Sequence, residues 1–163
     1  MKIALGSDHR GTDAVRALVA HLQARGHEPE VLGDDSGEPT DYPDSANVVG
    51  RAVAAGDAAV GVLVCGSGIG MSIAANKVPG VRAGLACDAR AAEMTRRHND
   101  ANVLCLAADR GDAEEMKRIV DAFLGAEFEG GRHRRRVDKI EAIERGEDPA
   151  AATAPRPPAA ERA

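Results

Sequence analysis

Apolar and polar residues fall in alternating blocks along this chain, and the blocks switch between two periods. Ile3 to Gly6 is a short apolar run, closed by Ser7-Asp8-His9-Arg10-Gly11. Val15, Leu18, Val19 and Leu22 then recur at helical spacing, which predicts a helix capped by Thr12 and ended by Gly26. Glu30 to Gly33 predicts a brief second strand. The polar stretch through Asp41-Tyr42-Pro43-Asp44 predicts a loop, and Ala46 to Ala55 a helix stopped at Gly56. Val60 to Val64 is a continuous apolar run, the pattern of a strand covered on both faces. Met71 to Lys77 has helix-compatible composition. Val81 to Cys87 predicts a fourth strand, Ala89 to His98 a helix, Val103 to Ala107 a fifth strand and Ala113 to Leu124 another helix. Alternation of this kind predicts an α/β fold with an open, five-stranded parallel sheet flanked by helices.

Ligands of such sheets bind beyond the carboxyl ends of the strands. That rule selects Asp8-His9, Cys65 and Cys87-Asp88. His98 and Asn99 close a helix, so they are expected at the opposite rim. Only loop geometry or a second subunit would bring them near the others.

The character of the chain changes after the last of these helices. Glu129-Gly-Gly-Arg132-His-Arg-Arg-Arg136 is a concentrated basic turn. Val137 to Arg145 predicts a helix with a narrow apolar seam at Val137, Ile140 and Ile143, and such a seam needs a partner on this chain or another. The chain is therefore divided into a domain over 1–146, whose last helix is expected at a subunit interface, and a disordered Pro/Ala-rich tail over 147–163.

The candidate chemistry centres on Cys65-Gly66-Ser67-Gly68-Ile69-Gly70. Three glycines allow sharp turns and close approach of backbone to a ligand. Loop N–H groups and the following helix start favour an anion, and the same field can stabilise a thiolate at Cys65. Cys65 reads equally well as a small buried hydrophobe. The glycine spacing is one residue short of the dinucleotide-binding fingerprint, although Asp88 lies about where a ribose-binding acid is expected. No Gly-Lys-Ser/Thr follows, so the phosphate loop of nucleotide triphosphatases is absent.

Composition narrows the classes. The chain has 163 residues, which suits one domain with a real core. A formal net charge of -5, no Trp and a single Tyr argue against a general nucleic-acid binder. There is no long apolar stretch for a membrane span. The chain enters its first strand directly, so no signal peptide is expected. Three cysteines, Cys65, Cys87 and Cys105, lack scaffold spacing and point to a reducing, cytoplasmic setting. The basic turn has three readings: a solvated charge cluster, a nucleic-acid patch, or a phosphate clamp of arginine forks. His9 and His98 read as polar loop histidines or as proton carriers, the latter favoured for His9 by its neighbour Asp8. No Cys/His spacing resembles a zinc site, so chemistry without a metal is the default.

Taken jointly, the motifs resemble one family. Gly6-Ser-Asp8-His9-Arg-Gly11, Asp41-Tyr42-Pro43, Cys65-Gly-Ser-Gly-Ile-Gly70, Ala74-Ala-Asn-Lys77, Arg96-Arg-His98-Asn99-Asp100 and Gly130-Gly-Arg132-His133 stand in the order and spacing of the type B ribose-5-phosphate isomerases. That family lies within a wider group that includes galactose-6-phosphate isomerase subunits. The match spans roughly residues 1–145. The resemblance implies a Rossmann-like three-layer sandwich and cofactor-independent interconversion of ribose 5-phosphate and ribulose 5-phosphate through a cis-enediolate. It implies Cys65 as the base, and amides from Gly66, Ser67, Gly68, Ile69 and Gly70 around the enediolate oxygen. Ser67 supplies a hydroxyl where relatives have Thr. His98 would open the sugar ring with Asp8. His9, Arg132 and Arg136 would hold the phosphate, while Asn99 and Tyr42 would line the sugar site. A homodimer or dimer of dimers with shared sites is implied. Other phosphosugars (galactose, allose or tetrulose phosphates) and a non-catalytic phosphosugar-binding module are the alternatives. One departure stands out: the family often places an arginine where this chain has Asp109, with Arg110 next door.

Overall fold

A computed structural model describes residues 1–153. Five parallel strands form one sheet in the order β2-β1-β3-β5-β4. They are β1 (Lys2–Ser7), β2 (Glu28–Val31), β3 (Val60–Cys65), β4 (Ala83–Leu85) and β5 (Val103–Ala107). The helices are α1 (Thr12–Ala24), α2 (Tyr42–Ala55), α3 (Ile69–Ala75), α4 (Ala89–Asn99), α5 (Ala113–Leu124) and α6 (Arg132–Glu144). Short 3-10 turns follow at Ala108–Arg110 and Ala151–Thr153. The expected three-layer α/β sandwich is the fold observed. The expected disordered tail falls largely on residues 154–163, which lie outside the described residues.

The sheet separates two cores. One face carries Leu5, Val62, Val64, Leu104 and Leu106 against Leu18 of α1, Ala92 of α4 and Phe123 of α5. The other carries Ala4, Leu63, Cys65, Val103 and Cys105 against Val49 of α2 and Met71 of α3. Every residue of β3 is buried, as its unbroken apolar run requires. Val49 seats α2 on the sheet through two strand glycines. A Cβ on Gly6 would lie 2.9 Å from Val49 Cγ2, and one on Gly61 would lie 2.8 Å from Val49 Cγ1. The missing side chains are what let this helix approach.

Several elements differ from their predicted bounds. Helix α1 has Gly11 at its N-cap, not Thr12, whose hydroxyl instead donates to the Asp8 carbonyl at 3.2 Å. Strand β2 begins two residues early and accepts Pro29, which an edge strand tolerates. Helix α2 begins at Tyr42, because Pro43 falls in the first turn, where no N–H is needed. Strand β4 is only three residues long. Its preceding residue, Arg82, donates its backbone N–H to the Asn102 side chain at 2.8 Å rather than extending the ladder. Helix α6 begins at Arg132, so the basic run is its first turns and not a loop.

The expected seam of α6 is divided between two faces. His133, Val137 and Ala142 are buried within this chain, whereas Ile140 and Ile143 are 43% and 61% exposed.

Candidate active site

Parallel strand direction distributes the candidate residues over two rims. Ser7, Cys65 and Ala107 end their strands at the carboxyl rim. Helix α4 starts beyond β4 and ends at Asn99, just before β5 begins at Val103, so His98 and Asn99 lie at the amino rim. A six-residue strand spans about 20 Å. Within one chain, therefore, Asp8 and Cys65 are not brought together with His98 and Asn99.

At the carboxyl rim, Cys65 is 4% exposed. The Gly68 N–H donates to Cys65 Sγ at 3.1 Å. A backbone donor aimed at sulfur complements the negative charge that a reacting thiolate carries. Gly68 can fold back this way because its φ is +73°, the left-handed region that glycine adopts without strain. The Ile69 N–H donates to Ser67 Oγ at 3.3 Å. Two of the five amides expected around the enediolate oxygen are thus engaged inside the loop, at Gly68 and Ile69. The Tyr42 ring covers Gly70, where a Cβ would sit 2.7 Å from its Cε2 and Cζ atoms. The second thiol on this face, Cys105, is fully buried, and burial pushes its pKa far above the ordinary thiol range.

Asp8 and His9 follow β1. Asp8 is 7% exposed, and its Oδ1 accepts from the backbone N–H of Arg10 at 2.9 Å and of Gly11 at 3.3 Å. It therefore shapes the loop that presents its neighbours. The Thr40 N–H donates to His9 Nδ1 at 3.4 Å, which assigns the ring proton of a neutral His9 to Nε2. Asp88, at the position expected of a ribose-binding acid, is the N-cap of α4 and accepts from the Ala91 N–H at 2.7 Å.

At the amino rim, His98 stacks on His133 with ring centroids 4.2 Å apart and planes 4° apart. Glu129 Oε2 lies 3.7 Å from His98 Nε2 and 3.5 Å from His133 Nε2. Arg97 donates from Nε to Glu129 Oε1 at 2.7 Å, and Arg132 Nε donates to His133 Nε2 at 3.3 Å. His98, Glu129 and His133 could in principle ligate a metal ion, with ligand atoms within 4.8 Å of one another. Glu129 and His133 already accept from the guanidinium groups of Arg97 and Arg132. Arg132 and Arg136 are exposed in the first turns of α6. Arg134 has a structural role over the Phe128 ring, 4.6 Å from its centroid. A cavity of about 210 Å³ opens beside Asn99, between Ala83, Thr95 and Ile140. It belongs to the amino rim, away from Cys65.

Asp100 holds this rim in place. It is the one non-glycine residue with positive φ (48°) among the described residues, and it caps α4. Arg82 and Arg96 donate to its two carboxylate oxygens at 3.0 and 2.9 Å. The roles of His133, Glu129 and Arg97 were not read from sequence. His133 closes the Gly130-Gly-Arg132-His133 motif, but its burial in the middle of an arginine run has no signature in hydrophobic spacing.

An α/β sheet with a thiol and glycine loop at one rim, and a histidine-arginine cluster at the other, is the arrangement of a small-molecule enzyme of the α/β class. The ribose/galactose isomerase family matches residues 3–140, and the chain belongs to it. Ribose-5-phosphate isomerase B of Escherichia coli (strain K12) is 49% identical over 143 residues, 88% of this chain and 96% of that protein. The structure of Clostridium thermocellum ribose-5-phosphate isomerase B superposes with a TM-score of 0.88 at 45% identity, covering 90% of this chain and 99% of the other. Mycoplasma genitalium ribose-5-phosphate isomerase B, solved with bound ribulose-5-phosphate, gives a TM-score of 0.84 at 41% identity, covering 88% and 96% of the two chains.

Proposed function

We propose that this chain interconverts ribose 5-phosphate and ribulose 5-phosphate, with Cys65 as the base. The observation that carries the reading is the Cys65 loop. A thiol ends the central buried strand with the Gly68 N–H on its sulfur, in a chain 49% identical to a ribose-5-phosphate isomerase B. The Cys65 thiolate takes the proton from C2 of the open-chain aldose. The electron pair moves into a C1–C2 double bond as the carbonyl oxygen gains charge, giving a cis-enediolate. A proton passes from the C2 hydroxyl to the C1 oxygen, and the protonated thiol returns its own proton to C1 as the C2 oxygen becomes the ketone. Loop amides stabilise the charged oxygen, an arrangement worth about 3–4 kcal/mol per donor where it has been tested.

Ring opening needs a second acid-base group, and His98 is the candidate. Because it lies at the opposite rim, the working site joins the carboxyl rim of one copy to the amino rim of a second. Exposed Ile140 and Ile143 support α6 as part of that contact, in a homodimer or dimer of dimers. In this assembly His9, Arg132 and Arg136 hold the phosphate, and Asn99 and Tyr42 flank the sugar. No cofactor is invoked. Three free cysteines support a reducing, cytoplasmic setting, and a place in pentose phosphate metabolism follows from the substrate. No helix among the described residues is long and apolar enough to cross a membrane.

The test is isomerisation of ribose 5-phosphate by wild type and Cys65→Ala, with galactose, allose and erythrose phosphates alongside. Activity on the ribose compound that vanishes in the variant, with binding retained, is the expected result. Near-normal turnover by Cys65→Ala removes the base, and activity only on another sugar phosphate moves the substrate.

A further inference from the structure

Two residues 99 positions apart meet over the Cys65 loop. Arg10 leaves the β1–α1 loop with its backbone N–H anchored on Asp8 Oδ1 at 2.9 Å. Asp109 sits in the turn after β5 with its backbone N–H donating to the Gly66 carbonyl at 3.0 Å. Between the two, Arg10 Nη2 donates to Asp109 Oδ1 at 2.5 Å. A Cβ on Gly66 would lie 2.7 Å from Arg10 Nε and 3.0 Å from Asp109 Oδ2. The guanidinium thus packs directly on the residue after Cys65, and it fits there only because that residue is glycine.

This is not a core ion pair. The two side chains are 55% and 48% exposed, so the pair adds little to stability. It does fix a permanent cation at the mouth of the loop. The bond to Asp109 uses one of five guanidinium N–H groups, and the fork of the remaining donors matches phosphate oxygens. His9, the adjacent residue, presents its Nε2 side with Nδ1 already accepting from Thr40. Arg110 cannot take the same part. It lines a small cavity with Cys87, Glu115 and Met116, on the sheet face opposite the one that buries Cys65.

Resting on the sugar-phosphate reading above, we propose that Arg10 is a substrate-contact residue that binds the phosphate monoester beside His9. Asp109 is the positioning residue that aims it. The pair works as one device: Asp109 holds the guanidinium over Gly66, and Arg10 meets the incoming dianion.

The experiment measures binding of ribose 5-phosphate and of inorganic phosphate by titration calorimetry, together with KM and kcat, on the full chain. Circular dichroism and melting confirm folding of each variant. Arg10→Ala is expected to raise Kd and KM for ribose 5-phosphate about tenfold or more, with kcat within about threefold of wild type. Arg10→Lys recovers part of the loss, since it keeps the charge but not the fork. A side chain at 109 reaches the same spot over Gly66, so the exchange Arg10→Ala with Asp109→Arg recovers most of the affinity. A mere surface ion pair would move none of these constants. Folded Arg10→Ala with unchanged Kd and KM overturns the proposal. Wild type that binds the phosphosugar but does not turn it over removes the isomerase reading, while the Kd comparison still decides Arg10. Wild type with no affinity for either ligand overturns both.

Discussion

His98 and His133 stack face to face, with ring centroids 4.2 Å apart and planes 4° apart, although they belong to α4 and α6. His133 is buried, and burial pushes its pKa below the ordinary imidazole range. Charge on His98, Arg132 and Arg136 acts in the same direction, and Glu129 opposes it. A neutral His133 therefore forms a rigid floor under His98. The proposed ring-opening residue is held by packing as well as by the Asp100 cap behind it.

That floor carries a pH dependence. The folded pKa of His133 lies below the unfolded value of about 6.5, so the unfolded chain binds more protons between the two. Stability is full above about pH 6.5 and falls as pH drops through the window below it. Glu129, whose pKa is lowered chiefly by its hydrogen bond from Arg97, adds a second loss at more acidic pH. The melting temperature is expected to decline from pH 7 to 5.5, and His133→Asn should flatten that decline. A wild-type curve that is flat over the interval, or an equal slope in the variant, contradicts the assignment.

Gly61 and Val49 should be coupled. Gly61→Ala places a Cβ 2.8 Å from Val49 Cγ1 and is expected to cost about 1–3 kcal/mol by overpacking. Val49→Ala in the same chain removes the obstructing methyl, so the double variant should be more stable than the sum of the singles by about 0.5–3 kcal/mol. Urea denaturation of the four proteins measures the coupling, and additive losses would refute the packing account.

Gly68 is a stricter position. Its φ is +73°, and an added Cβ would lie 2.5 Å from Leu85 Cδ1 and 2.9 Å from the Leu106 carbonyl oxygen. Gly68→Ala should cost about 1–3 kcal/mol from backbone strain alone. It should also lower kcat, because the N–H on Cys65 Sγ moves. A variant with normal kcat would show that this bond has no part in catalysis.

Arg136 precedes Ile140 by four residues and shares its exposed helix face. Arg136→Ala should raise KM several-fold with little change in kcat, the signature of lost phosphate binding. An unchanged KM takes Arg136 out of the site.

Periodicity carried the fold where apolar spacing was unbroken. Strand β5 and helix α5 run over their expected residues, Val103–Ala107 and Ala113–Leu124. It failed where another force set the boundary. The start of α2 depends on Pro43 being harmless in a first turn, and the start of α6 lies in an arginine run whose only buried member is His133. The two-rim division of the site was legible, because strand direction alone places Cys65 and His98 apart. The Arg10–Asp109 pair was not, since its partners lie on different loops and no spacing rule joins charges 99 residues apart.

The central claim, a site shared between two copies, is tested most directly by mixing. Cys65→Ala and His98→Asn are each expected to be nearly inactive on cyclic ribose 5-phosphate. Co-expressed as a dimer, half the molecules pair one of each, and each such pair regains one intact site of two. Activity should then return to about a quarter of wild type, as an isologous interface with shared sites requires. A co-expressed mixture no more active than the separate variants would show that Cys65 and His98 do not act together across two copies.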